Sequence, residues 1–333
     1  MRIALAAVLL AGSILAPIRA SAGENDAENA PAYGRVVISM GDSYSSGEGL
    51  GDYGKAEGTE KPDDPDWLAR RSDHAWPGQL TVPGIGTLAE RRGEAWYFVA
   101  SSGARTRHFR AGQVIRFLQT DGEAAAAGGD IPFHISPDLT GKAGLRVLDP
   151  QLSVFSKIPE GSVSYVTLTI GGNDLGFTDI LASCAVTSSN LLPDVLPGML
   201  EEAWNRFENG TVGGRSVREQ IKDTYRQILS SAGDEAVLIV AGYPSLLDLD
   251  VDNGLFEPYE AELIDRYARK LDESLSGLVS EYRSENAGAR ICYVSAVDAF
   301  EGHGAYAADP YVNGIIFEEN DEILDHSPIS AAS

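Results

Sequence analysis

Three short segments place reactive side chains directly behind apolar runs of the chain. The first is Gly41-Asp42-Ser43-Tyr44-Ser45-Ser46-Gly47-Glu48-Gly49, behind the run 35–40. A serine in the turn after a buried strand holds its hydroxyl at the sheet edge, where a substrate reaches it. The glycine before it lets the chain turn tightly. The second is Ser101-Ser102-Gly103-Ala104, behind 96–99; Gly103 presents a backbone N–H with no side chain in the way. The third is Gly171-Gly172-Asn173-Asp174, behind 164–170. Asn173 carries an amide with two N–H donors, suited to a developing oxyanion. Taken singly, each segment also reads as an ordinary turn, because Gly, Asp, Asn and Ser are turn formers. Together they offer a nucleophile, a backbone donor and an amide donor on one sheet edge.

A serine hydroxyl is a weak nucleophile until an imidazole takes its proton. The chain has five histidines: His74, His108, His134, His303 and His326. His326 lies near the C-terminus in Asp325-His326-Ser327-Pro328, and His303 follows the last apolar run in Phe300-Glu301-Gly302-His303. The aromatic side chains of Tyr44, Tyr53, Trp76, Trp96 and Tyr243 are candidates either to line an acyl pocket or to fill core.

The elements that must position these groups alternate along the chain. The runs 35–40, 96–99, 164–170, 236–241 and 290–296 are β-branched or aromatic and nearly continuous in apolar content. That pattern suits strands buried on both faces of a parallel sheet. Between them, Val217, Ile221, Tyr225, Ile228 and Leu229 recur at helical spacing, as do Leu263, Tyr267, Leu271, Leu275, Leu278, Val279 and Tyr282. The expected fold is a single doubly wound, flavodoxin-like α/β domain: about five parallel strands with helices on both faces. The spans 51–66 and 121–144 are rich in Gly, Pro, Asp or Ala and read as long loops.

Composition limits the partners. A net charge of −23 repels phosphate backbones and anionic headgroups, which argues against nucleic acid. Arg2, the apolar residues from Ile3 to Ile18 and Ala20-Ser21-Ala22 read as a signal peptide, 1–22, cleaved after Ala22. Residues 23–34 are small and polar and read as a flexible mature N-terminus; residues 35–333 form the folded domain. The apolar run is short for a membrane span, so the expected product is secreted, with no stable membrane insertion, and monomeric. In an oxidising compartment Cys184 and Cys292 are candidates to pair. A buried free thiol at Cys292 is the competing reading, and both stay open.

Several motif-like stretches carry no function. Gly49-Leu50-Gly51-Asp52-Tyr53-Gly54 has the dinucleotide spacing but follows no strand. Asp248, Asp250 and Asp252 resemble a calcium loop, but the glycine is one residue late and position twelve is Tyr259.

In order and spacing, GDSYSSGEG, SSGA and GGNDLGF, with a late histidine segment, resemble the sequence blocks of SGNH/GDSL hydrolases. The likeness is greatest to the secreted bacterial esterase and lipase branch. Arg70–Leu80, Ala241–Leu247 and Phe300–Gly314 extend it over nearly all of 35–328. The resemblance implies Ser43 as nucleophile and an oxyanion hole made of the Ser43 N–H, the Gly103 N–H and the Asn173 side chain. It implies His326 as general base, with His303 at a non-catalytic family position, and no metal or organic cofactor. The substrate would be a small-molecule, lipid or polysaccharide ester. The family often has an acid three residues before the histidine; here that position is Ile323, leaving Asp321 and Asp325 as candidates to orient the ring. A binding protein that has lost turnover, or an acyltransferase, would use the same residues.

Overall fold

The computed structural model describes residues 35–50, 52–54, 64–119, 124–127, 142–177, 180, 192–211, 214–247, 249, 257–305, 307 and 311. Its centre is a five-stranded sheet of β1 (Val36–Gly41), β4 (Trp96–Phe98), β8 (Val163–Thr169), β9 (Val237–Ala241) and β10 (Ile291–Val294). The spatial order is β10-β9-β8-β1-β4, and every pairing is parallel. In chain order these strands run 2-1-3-4-5, the flavodoxin-like arrangement, whose topological switch point lies between β1 and β8. All five strands coincide with the apolar runs of the sequence.

Each strand is apolar on both faces because both faces are covered. In β1, Val36, Ile38 and Met40 enter one core cluster with Tyr225 and Ile228 of α5 (Val217–Ala232) and Leu275 of α6 (Pro258–Glu285). Val37 joins a different cluster with Trp96, Ala75 and Leu88. Helix α5 starts where Ser216 and Glu219 form a capping box, which satisfies two backbone N–H groups that the first turn leaves open. Tyr225 of α5 meets Tyr282 of α6 edge to face at 6.0 Å, a favourable aromatic geometry.

Between β1 and β4 in the chain, β2 (Thr81–Val82) and β3 (Gly86–Thr87) form a short antiparallel pair. Two elements differ from the sequence reading. The span 121–144 is not loop throughout: β6 (Ala124–Ala127) and β7 (Lys142–Leu148) pair antiparallel with β5 (Gln113–Gln119) in a separate three-stranded sheet. Alanine has low strand propensity, but backbone pairing to a neighbour overrides it. Helix α4 (Leu192–Asn209) was unmarked by periodicity and holds Pro197 inside it, a residue that removes an internal hydrogen bond. In the span 51–66, Asp64 caps the one-turn helix α2 (Pro65–Leu68), while Gly51 and 55–63 lie outside the described residues. So do 1–34, Cys184, His134, Asp321, Asp325 and His326. Among the described residues no helix is long and apolar enough to cross a membrane.

Candidate active site

Ser43 sits at the carboxyl end of β1, on the switch-point side of the sheet. It opens the one-turn helix α1 (Ser43–Ser46), with Asp42 as N-cap accepting from the Tyr44 N–H at 3.2 Å. The strand-to-helix turn requires Gly41: its φ is +125°, and a Cβ would lie 2.3 Å from the Thr169 carbonyl oxygen. The Gln151 side chain clamps the same residue, accepting from the Gly41 N–H and donating to its carbonyl, each at 2.8 Å. Ser43 is 3% exposed. Among the described residues neither its hydroxyl nor its N–H makes a hydrogen bond, so both stand available to a ligand.

Asn173 lies in the corresponding turn after β8, in the short helix α3 (Gly172–Leu175). It lines one cleft together with Ser43, Tyr44, Phe177, Leu246 and Leu271. The Asn173 amide donates to the Ala104 carbonyl at 3.0 Å, which draws the Gly103 loop to this turn. Asp174 tightens the same link, accepting from the Thr106 N–H at 3.0 Å and the Thr106 hydroxyl at 2.6 Å. Gly103 itself takes a positive φ of 71°, a conformation glycine adopts without strain. The structure therefore brings together the turns that carry all three predicted donors.

Asp42 is the most heavily engaged polar group here. It is fully buried and accepts from the Thr169 hydroxyl at 2.8 Å. The Ser45 hydroxyl lies 2.8 Å from that of Thr169, and donates to it, since Thr169 gives its own proton to Asp42. The Tyr243 hydroxyl donates to the other carboxyl oxygen of Asp42 and accepts from the Gly172 N–H at 2.9 Å. Burial pushes the Asp42 carboxyl up to about 7, against the lowering effect of the Tyr243 and Thr169 hydrogen bonds. An acid raised in the folded state binds its proton more tightly there than in the unfolded chain, where it titrates near 4. It therefore stabilises the fold in acid, and that contribution is lost as pH rises from about 4 through about 7. The expected result is that wild type loses up to about 4 kcal/mol relative to Asp42→Asn over that window. Thermal unfolding of both proteins from pH 4 to pH 8 measures it, and a pH-independent difference between them would refute it.

None of the three described histidines lines this cleft. His74 is exposed and contacts Asp52. His108 is buried, its Nδ1 accepts from the Arg105 N–H at 3.0 Å, and burial lowers its pKa to about 4. His303, the second candidate base, stacks on Tyr311 at 3.9 Å. Of the aromatic candidates, Tyr44 and Tyr243 line the cleft. Trp96 is fully buried in core, and Tyr53 accepts from the Gly49 N–H at 2.6 Å, outside the cleft lining. Trp76 is half-buried and also outside that lining. Cys292 lies half-buried on β10. No group of three or more metal-ligating side chains occurs among the described residues. The sequence reading missed Gln151 and the roles of Asp42, Asp174 and Tyr243, although Asp42 and Asp174 stand inside the motifs it singled out.

No family model matches the chain. A curated relative, a lipase of Streptomyces rimosus, is 24% identical over 221 residues, covering 63% of this chain and 61% of that protein. The matched stretch thus spans less than two thirds of the relative. The crystal structure of the extracellular lipase from Streptomyces rimosus superposes with a TM-score of 0.57 at 19% identity, covering 90% of this chain and 91% of that one. Phospholipase A1 from Streptomyces albidoflavus gives a TM-score of 0.55 at 20% identity, covering 89% and 96%. In fold and in motif order the chain resembles the SGNH/GDSL α/β hydrolases.

Proposed function

We propose that this chain is a secreted serine hydrolase of carboxylic esters, working through an acyl-enzyme on Ser43 with His326 as base. One observation carries the reading: Ser43 and Asn173 stand at the carboxyl ends of β1 and β8, astride the switch point, and line one cleft. The Ser43 oxygen attacks the ester carbonyl carbon while His326 takes its proton. The resulting oxyanion is held by the Ser43 N–H, the Gly103 N–H and the Asn173 amide. Collapse breaks the bond to the alcohol, which leaves with the proton from His326. Water, deprotonated by His326, then attacks the acyl-enzyme and releases the acid and Ser43.

The apolar part of the cleft, with Tyr44, Phe177, Leu246 and Leu271, suits an acyl chain. The lipases among the similar proteins support an ester of this class. His326 is supported by the resemblance of its late segment to the family's histidine block, and none of His74, His108 and His303 lines the cleft. Export with cleavage after Ala22, a folded unit of 35–333 and a monomeric enzyme complete the proposal.

The test is hydrolysis of a p-nitrophenyl ester series, short to long acyl, by protein lacking residues 1–22. Wild type is expected to turn over, and folded His326→Ala to lose at least about 10³-fold in kcat. Folded wild type that is inert across the series overturns the esterase reading. A His326→Ala variant with unchanged turnover overturns the base assignment.

A further inference from the structure

We propose that Tyr243 is a positioning residue for ester hydrolysis, its hydroxyl joining the turn that carries Ser43 to the turn that carries Asn173. The inference rests on the reading of Ser43 as nucleophile. Tyr243 follows β9 in Gly242-Tyr243-Pro244 and is 6% exposed. Its oxygen makes two bonds at once: it donates to Asp42, the residue before Ser43, and accepts from the N–H of Gly172, the residue before Asn173, at 2.9 Å. Burial holds the phenol protonated far above its ordinary range, so it remains a donor at any working pH.

Packing alone does not require the hydroxyl. The ring meets Tyr44 edge to face at 4.8 Å, a contact phenylalanine would keep. Gly172 is seated close against the phenol, since a Cβ there would lie 3.2 Å from the Tyr243 hydroxyl oxygen. The hydroxyl matters because the two turns contribute different donors to one oxyanion. Such donors act at 2.7–3.1 Å, and a misplacement of about 1 Å can cost about 10²-fold. The third donor is already tied to the Asn173 turn by Ala104 and Thr106. Thr169 bonds Asp42 at the strand end, and Tyr243 adds the link further along, from the Gly172 N–H back to the residue before the nucleophile.

The test compares Tyr243→Phe, Asp42→Ala, Asp42→Asn and the Tyr243→Phe/Asp42→Ala double variant with wild type, on a short-chain p-nitrophenyl ester. Tyr243→Phe is expected to lower kcat about 10- to 100-fold while KM stays within about twofold, because the loss falls on the transition state. Asp42→Ala removes the link from its other end, together with the helix cap and the Thr169 bond, and should lose at least as much kcat. Asp42→Asn can still bond the phenol and should retain more activity than Asp42→Ala. The double variant should be no worse than the poorer single. Unchanged kcat in folded Tyr243→Phe, or losses that multiply in the double variant, overturn the proposal while leaving the esterase reading intact. If Tyr243→Phe does not fold, equal kcat in Asp42→Asn and Asp42→Ala overturns it. Folded wild type without esterase activity removes the premise and the proposal together.

Discussion

Ser43→Ala is expected to abolish turnover, a loss on the order of 10⁴-fold or more, and to leave the fold as stable as before. The two halves of that result have separate causes. Without the hydroxyl no acyl-enzyme forms, and the remaining donors can only polarise a carbonyl for direct attack by water. Stability is spared because the Ser43 hydroxyl makes no hydrogen bond among the described residues, so its removal leaves no partner stranded. The interactions that hold the turn run through other atoms. The Ser43 carbonyl accepts from Gly47 and Glu48, and Asp42 caps the helix. Initial rates and thermal unfolding on the same preparation separate these outcomes. An active Ser43→Ala variant would exclude Ser43 as nucleophile, whereas a large drop in unfolding temperature would mean that Ser43 holds the turn together. A serine-directed phosphonate adds a readout independent of substrate choice: labelling at Ser43 in wild type and none in the variant.

The strands were legible in the sequence because burial on both faces leaves a continuous apolar run, and β1 is buried at all six positions. The strand order was legible as a class, since a flavodoxin-like winding follows from alternating strands and helices. The proposed nucleophile Ser43 and the proposed amide donor Asn173 stood out as candidates because each lies in a turn directly behind such a strand. What positions them was not. Gln151 reaches Gly41 across 110 residues, and Tyr243 reaches Asp42 across 201. No local pattern marks either contact, because each is set by where the sheet brings two loops together. Tyr243 read equally as pocket wall or core, and it is a wall of the cleft whose hydroxyl also ties two turns. The antiparallel sheet of β5, β6 and β7 escaped for a related reason: its strands are defined by pairing, while Val114, Leu145 and Val147 point apolar side chains to solvent and blur the alternation that marks a half-buried strand.

Replacing Asn173 with alanine is the second large effect expected, a loss of about 10²–10³-fold in kcat with little change in KM. In the proposed mechanism the amide acts on charge that exists only in the transition state, so the ground-state ester scarcely registers its absence. Part of the loss will be indirect. Asn173→Ala also strands the Ala104 carbonyl, which now accepts from that amide at 3.0 Å, and so loosens the loop that carries Gly103. Asp174 limits this slackening, because it holds Thr106 through both its N–H and its hydroxyl independently of Asn173. Asn173→Asp sharpens the comparison. It keeps the shape but offers no amide donor and, when ionised, places negative charge beside a developing oxyanion. It should therefore fall below Asn173→Ala at neutral pH. If Asn173→Asp matched wild type, neither the bond to the Ala104 carbonyl nor an amide donor would be needed at this position, since aspartate supplies neither, and the oxyanion would have to be carried by the Ser43 and Gly103 N–H groups alone.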